Sequence, residues 1–335
     1  MSEWRILDAT DGCLEAVSRL RGATIFYSTR WARVLARGFA CPVRVVALVE
    51  PGGRFSAALP ACLLKMGPIR MLYGVFPKGN FVGDAGAVAE HINGLEEIFR
   101  REGLHAVRVI ACEDALIRGL PGASRARHVR HVLRIDGRSA EQVWHDYPKK
   151  IRRDVRVPMK AGYVTRPMRR EEFPTFHRMM GEVFVRNAAA TGPPREFYEA
   201  VWDEMVGDGT AEFIVADKDG DPHAAVVAIH DGPTTYYFAG CSWTDSMRDG
   251  VNDLTVHALI ASAARRGAER VDMLSSDARH VGLIRFKAKW RADQWPFDIL
   301  EWWFAPLRHL LWKTGMAVAG TRAGAALIRR LRRQR

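Results

Sequence analysis

The stretch from Glu212 to Leu274 restricts the fold more than any other part of the chain. Glu212–Lys218 (EFIVADK) is apolar and β-prone, and Asp219-Gly220-Asp221 is a strong hairpin turn. His223–Ile229 reads as a second strand, Asp231-Gly232-Pro233 as another turn and Thr234–Ala239 as a third strand. In Asn252–Arg266, residues Leu254, Val256, Leu259, Ile260 and Ala263 fall at helical spacing, with Asn252 or Asp253 as N-cap and Gly267 as the stop. Arg270–Leu274 then reads as a short buried strand. An antiparallel meander followed by a helix and a further strand implies a parallel, right-handed crossover onto the same sheet.

The N-terminal half repeats that order. Thr29–Arg37 looks helical, Val43–Val49 is a strand, Pro51-Gly52-Gly53 a turn, Phe55–Leu64 a second strand and Arg70–Val75 a third. A helix over Ala89–Glu102 stops at Gly103, and Ala106–Ala111 is a strand. The matching order suggests an internal duplication. A chain of 335 residues with 48% hydrophobic and 26% charged residues is globular and long enough for two domains. The boundary is expected near Gly137–Glu141, giving domains over 1–138 and 139–305 and a tail over 306–335.

The net charge of +12 sits in two places. Tyr147–Arg170 carries nine basic residues against Asp154 alone, and Pro306–Arg335 carries eight and no acid, which leaves the rest of the chain at −4. The first run puts Lys149, Arg152, Arg153 and Arg156 on neighbouring helical turns, where they suit an anion better than an idle solvated face. The tail mixes Leu307, Leu310, Leu311 and Trp312 with arginines, the composition of a segment lying on an anionic membrane surface, with a basic arm contacting tRNA as the competitor. The start has an early acid and no apolar core of a signal peptide, so a cytoplasmic protein is expected, peripheral at most on the inner membrane face. Five scattered cysteines without Cys-x-x-Cys, and 11 histidines without ligand spacing, point to a metal-free protein with reduced thiols.

Two segments resemble a known family. Tyr147-Pro-Lys-Lys-Ile-Arg-Arg-Asp-Val-Arg-Val-Pro-Met-Lys-Ala-Gly-Tyr-Val-Thr resembles the basic helix and following strand that open the second domain of FemABX-like transferases. Gly267-Ala-Glu-Arg-Val-Asp-Met-Leu-Ser-Ser, with Gly282-Leu-Ile-Arg-Phe-Lys-Ala-Lys-Trp after it, is similar to the strand and Phe-Lys signature near the end of that domain. The resemblance covers roughly residues 25–303, the first domain only in outline. It implies an α/β (α+β) fold of tandem GNAT-like domains, each a mixed, mostly antiparallel sheet with flanking helices, followed here by a basic C-terminal helix. It also implies transfer of an aminoacyl group from aminoacyl-tRNA to an amine of a peptide or cell-envelope precursor, with wider relatives using acyl-CoA.

Acyl transfer to an amine needs a deprotonated amine, a positioned carbonyl and a stabilised oxyanion. Lys287, between Phe286 and Trp290, is placed by the resemblance to meet the oxyanion or a phosphate; the alternative is a snorkelling surface lysine. Asp272 within its strand is a candidate base if buried, or a structural carboxylate bonded to backbone amides; Asp277 is the rival base. Ser275 and Ser276 are candidate substrate donors or caps of the next helix. Of Tyr236 and Tyr237, which alternation points to opposite faces, Tyr237 is the expected substrate contact. Lys149, Arg152 and Arg153 are the expected phosphate grip. Arg248-Asp-Gly-Val-Asn252 stands where a GNAT protein holds the CoA pyrophosphate, but Asp249 and Asp253 place negative charge there. Aminoacyl-tRNA is therefore the expected co-substrate, with acetyl-CoA or another acyl-CoA as alternative donor, a small-molecule or peptide amine as acceptor and no bound cofactor. A non-catalytic tRNA- or membrane-binding module is the reading outside enzymes.

Overall fold

A computed structural model describes residues 2–112, 115–117, 122–187, 192–276 and 280–319. The chain forms two compact units, one of Met1–His128, Glu196–Glu204 and Pro296–Val318, the other containing Val129–Arg195 and Met205–Trp295. These bounds differ from the expected 138 and 305, because the strand Ser124–Arg134 belongs largely with the second unit while the first takes most of the helix Arg195–Met205 and the later part of the strand Asp293–Trp303 from distant parts of the sequence.

In chain order the elements are β1 (Glu3–Asp8), α1 (Asp11–Ser18), α2 (Thr29–Phe39), β2 (Val43–Val49), β3 (Phe55–Met66), β4 (Ile69–Gly74), β5 (Val82–Gly83), α3 (Ala85–His91), α4 (Asn93–Arg101), β6 (Ala106–Cys112) and β7 (Ser124–Arg134). They continue with α5 (Ala140–Asp146), α6 (Lys149–Lys160), β8 (Val164–Pro167), α7 (Phe173–Arg186), α8 (Arg195–Met205), β9 (Ala211–Lys218), β10 (Asp221–Asp231) and β11 (Thr234–Ser242). The chain closes with α9 (Val251–Arg265), β12 (Arg270–Ser276), α10 (Val281–Ala288), β13 (Asp293–Trp303) and α11 (Pro306–Ala319).

The first unit's sheet runs β1-β2-β3-β4-β6-β13, with β5 beside β3. Its meander β2-β3-β4 is antiparallel, β6 joins β4 in parallel, and β13 closes antiparallel on β6. Trp4, Leu59, Leu72, Phe99, Val109 and Trp302 are among the buried side chains of its core. The expected single helix over 89–102 is two helices that meet at Ile92.

The second unit repeats the plan in the order β8-β9-β10-β11-β12-β7. The two-residue turn Asp219-Gly220 has both φ angles positive (56° and 92°), as the right-handed twist of a tight hairpin demands. Residues alternate between the sheet faces: Phe213 packs on Phe173 and Phe176 of α7, while Ile214 and Ala216 join the core with α9. Within that core Ile151 and Val155 of α6, Val143 of α5 and Leu259 and Ile260 of α9 are fully or nearly fully buried. The duplicated order of meander, helix and parallel strand is thus present in both units. Gly267 ends α9 with φ 73°, as expected, but the helix is capped at its start by Gly250 and not by Asn252 or Asp253. Asp253 is instead buried and bonded to Lys289.

Candidate active site in the second unit

β11 and β12 are paired for only three residues, from Thr234 opposite Arg270 to Tyr236 opposite Asp272. β11 then runs on to Ser242 and β12 to Ser276 without pairing to each other. Two parallel strands that part in this way open a wedge in the sheet, with backbone N–H and C=O groups on its edges outside the ladder. Bulges mark both strands at the parting. On β11, Val227 faces Ala239 and Ala228 faces Tyr237, so Phe238 is the extra residue. On β12, Met273 and Leu274 stand against the single residue His131 of β7, and Leu274 takes a left-handed φ of 56°.

Lys287 of α10 reaches the bulged end of β12. Its Nζ donates to the Leu274 and Ser275 carbonyls, each at 3.2 Å, and the residue is only 3% exposed. Burial excludes a snorkelling surface lysine. It also disfavours the charged form and lowers the Lys287 pKa to about 8, with Asp272 pulling in the opposite direction. An ammonium has three donors, so one N–H remains beyond the two carbonyl bonds.

Asp272 is fully buried and held on both oxygens. Oδ2 accepts from Arg130 Nη1 at 2.8 Å, and Oδ1 accepts from the Leu274 N–H at 2.8 Å. The Arg130 guanidinium also lies 4.9 Å from the Trp295 ring centroid. Ser276 is buried and Ser275 half-buried. Neither caps α10, whose N-cap is His280 without a side-chain bond. Asp277 lies outside the described residues.

His131 is absent from the sequence-based candidates. It is fully buried opposite the β12 bulge, and burial, reinforced by Lys287, lowers its pKa. Among the described residues, neither of its ring nitrogens nor Ser276 Oγ has a hydrogen-bond partner. The alternation His131-Leu133-Ile135 in an apolar strand was the available signal: a histidine on the core stripe.

Phe286 packs at the edge of the core, and Lys289 Nζ lies 4.7 Å from its ring centroid. The buried Trp290 meets Tyr147 edge-on at 5.3 Å. Tyr236 is buried, and Tyr237 is half-buried against the core with its hydroxyl over Gly240, where a Cβ would stand 1.9 Å from that oxygen. Burial raises the Tyr237 pKa.

The start of α9 is closed by protein groups. A Cβ on Gly250 would stand 3.0 Å from the Asp154 carbonyl of α6. Asp253 fills the first turn, bonded to Lys289, while Asp249 accepts from the Tyr163 hydroxyl at 2.7 Å. Burial raises the Asp253 pKa and Lys289 opposes that rise.

Lys149, Arg152, Arg153, Arg156 and Lys160 share one face of α6 along a groove of about 510 Å³, opposite the buried Ile151 and Val155. Arg156 stacks on Trp144 and Arg153 pairs with Asp154 at 3.1 Å. The end of the basic run does not join this face. Arg166 and Arg169 fold onto the buried Glu172, and Arg166 also binds Asp217. The structure thus gathers Lys287, Asp272 and Ser275–Ser276 at one end of β12, and Lys149, Arg152 and Arg153 on a separate groove. Among the described residues, no group of His, Cys, Asp and Glu has the arrangement of a metal site.

The acetyltransferase (GNAT) domain family matches residues 146–288. No curated protein matches the sequence significantly. Among solved structures, FemX superposes with a TM-score of 0.66 at 16% identity, over 88% of this chain and 96% of its own. L-PGS from Bacillus licheniformis gives 0.58 at 12%, over 88% and 92%, and a tandem GNAT protein from the clavulanic acid biosynthesis pathway gives 0.54 at 14%, over 89% and 98%. At these identities the likeness is one of fold, and it agrees with the resemblance read from the Tyr147–Thr165 and Gly267–Trp290 segments. Residues 146–288 thus match the acetyltransferase (GNAT) domain family, within a chain whose fold is similar to that of FemX.

Proposed function

We propose that the protein transfers an aminoacyl group from aminoacyl-tRNA to the amine of a peptide or cell-envelope precursor, working in the cytoplasm. The observation that carries this reading is the closed start of α9 beside an open cationic groove on α6. A pyrophosphate at the α9 terminus would meet Asp253 and the Asp154 carbonyl, so the usual charge attraction of a helix start for an anion is spent within the protein. Five of the six cations of α6 are spaced along one face and suit a run of phosphodiesters.

In this reading the acyl ester enters the wedge between β11 and β12, where unladdered backbone groups receive it in extended form. The acceptor nitrogen attacks the ester carbonyl, the C–N bond forms, the C–O bond to the ribose breaks and the freed hydroxyl takes a proton. Lys287, anchored by two carbonyls, offers its third N–H to the oxyanion. Asp272 fixes Arg130 and the bulge, which suits a positioning role better than that of a base; Asp277 and His131 are the remaining proton acceptors. Ser275, Ser276, Phe286 and Tyr237 shape the site, and Lys149, Arg152 and Arg153 grip the donor. The cationic tail with its exposed leucines brings the enzyme to an anionic membrane surface on the inner face.

The test is transfer of a labelled amino acid from charged tRNA compared with labelled acetyl from acetyl-CoA. Transfer from tRNA, with a salt slope that falls by roughly 1 for each of Lys149→Gln and Arg152→Gln, supports the reading. Transfer from acetyl-CoA alone would refute it, and no transfer from either donor would favour a binding module.

A further inference from the structure

A second cationic groove lies in the first unit, on residues that the acyl-transfer reading does not use. Lys65 and Arg70 come from the β3–β4 hairpin, His105 from just before β6 and Arg308 from α11, around about 620 Å³ of open space with no acidic side chain among the described residues of the lining. The walls are firmly built. The Arg70 N–H donates to His105 Nδ1 at 2.9 Å, and the His105 N–H donates to the Arg70 carbonyl at 2.8 Å. Arg308 donates to the Pro68 carbonyl, and the Phe304 N–H donates to the His105 carbonyl at 2.9 Å. Gly103, left-handed at φ 64°, gives the Arg70 guanidinium its room: a Cβ there would stand 3.2 Å from Nη1.

The helix that supplies Arg308 also exposes leucines. Leu307, Leu310 and Leu311 follow i, i+3, i+4 spacing and are 80%, 64% and 59% exposed. An apolar helix face of that kind is covered by a partner or by lipid. Here it adjoins a cation-lined groove, and the tail from 306 onward holds eight basic residues and no acid. That charge suits an anionic surface and repels basic partners.

We propose that Lys65, Arg70, His105 and Arg308 form a headgroup site for an anionic phospholipid, entered when Leu307, Leu310 and Leu311 of α11 sink into the membrane interface. This rests on the reading of the tail as a membrane contact and goes beyond it by giving the first unit a phosphate-binding role. The groove supplies charge and N–H donors for a phosphodiester, and the leucines supply the apolar area that a soluble phosphate would not need.

The experiment is co-sedimentation of the full chain with vesicles of phosphatidylcholine alone and of an equal mixture with phosphatidylglycerol. Wild type should bind the mixed vesicles only. Lys65→Gln with Arg308→Gln should weaken binding roughly 25-fold, at about fivefold for each cation lost near the surface. Leu310→Ser with Leu311→Ser should weaken it by on the order of tenfold or more. Arg54→Gln, the loss of an exposed cation paired with Glu50, should change it little. Circular dichroism checks that each variant is folded. No binding by wild type refutes the membrane reading of the tail. Binding that survives both groove substitutions but fails when residues 320–335 are removed keeps the tail and overturns the groove. Binding displaced by sodium phosphate at matched ionic strength, and unchanged in the leucine variant, makes the ligand a free phosphate and also overturns the proposal.

Discussion

Lys287→Met separates the cost of burying a charge from its use. The Lys287 ammonium is 3% exposed, and its pKa stands at about 8 against an ordinary 10.5. At about 1.4 kcal/mol for each pH unit, that gap amounts to roughly 3 kcal/mol by which the fold disfavours the charged over the neutral amine. The sign follows from proton counting. Between about pH 8 and 10.5 the folded protein has released this proton and the unfolded chain has kept it, so raising the pH favours the folded state. Below pH 8 both states hold the proton and the Lys287 contribution is flat. Wild-type stability should therefore gain about 3 kcal/mol on Lys287→Met between pH 7.5 and pH 10.5, measured by urea unfolding of both proteins at the two values. The same ammonium is the form that donates to an oxyanion, so wild-type turnover should fall as pH rises through about 8, and Lys287→Met should be slow throughout. Stability curves that run parallel for the two proteins would refute the buried charge. Turnover that instead rises through pH 8 would refute the donor role and make Lys287 a base.

Two further substitutions probe the frame around the site. Glu172→Gln should cost about 3 kcal/mol by urea unfolding at pH 7, since it removes the charge that Arg166 and Arg169 share, although Arg166 keeps Asp217. Burial alone would raise Glu172, but the Arg166 side chain, the Arg169 N–H and the Arg169 side chain outweigh it and hold the pKa at about 2. The stabilisation is thus complete above about pH 4.5 and fades as pH falls towards 2; a wild type and variant equally acid-sensitive over that range would contradict it. Gly38→Ala in α2 should lose about 2 kcal/mol, because the new Cβ would stand 2.6 Å from the Phe197 Cα of α8, a backbone atom that does not yield; a neutral result would mean the two helices move apart easily.

Much of this structure is legible from local signals. The meander, α9 and its Gly267 stop are written in turn residues and apolar periodicity, and the observed bounds lie within a few residues of the expected ones. Other elements carry weak local signals. β13 contains Pro296 and charges at Asp293, Asp298 and Glu301, and it becomes a strand because β6 pairs with it along Phe297–Trp303. β1 is a six-residue strand with charged ends whose place is fixed by β2. α7 and α8 have apolar faces and proline at or just before their starts, at Pro174 and Pro193-Pro194, but α7 has no glycine stop at its end. At the site, Lys287 was visible through its Phe-Lys context, while the bulges of β11 and β12 depend on cross-strand register, which a single strand does not record. Those bulges decide what Asp272 and His131 face. The basic run looked continuous because a linear count of charge does not show Arg166 and Arg169 turning inward to Glu172.

The pairing of β13 with β6 has a consequence for the order in which the chain can mature. Ala106 waits for Trp303, and the antiparallel closure of the first unit is impossible until β13 has been synthesised. β7 in turn waits for β12. During translation the parallel edge formed by β6 has no neighbour on that side, an open template for stray strands. The second unit is translated inside that interval. The first unit, though translated ahead of the second, is thus finished after it, and its exposed edge is what the nascent chain must keep protected in the meantime.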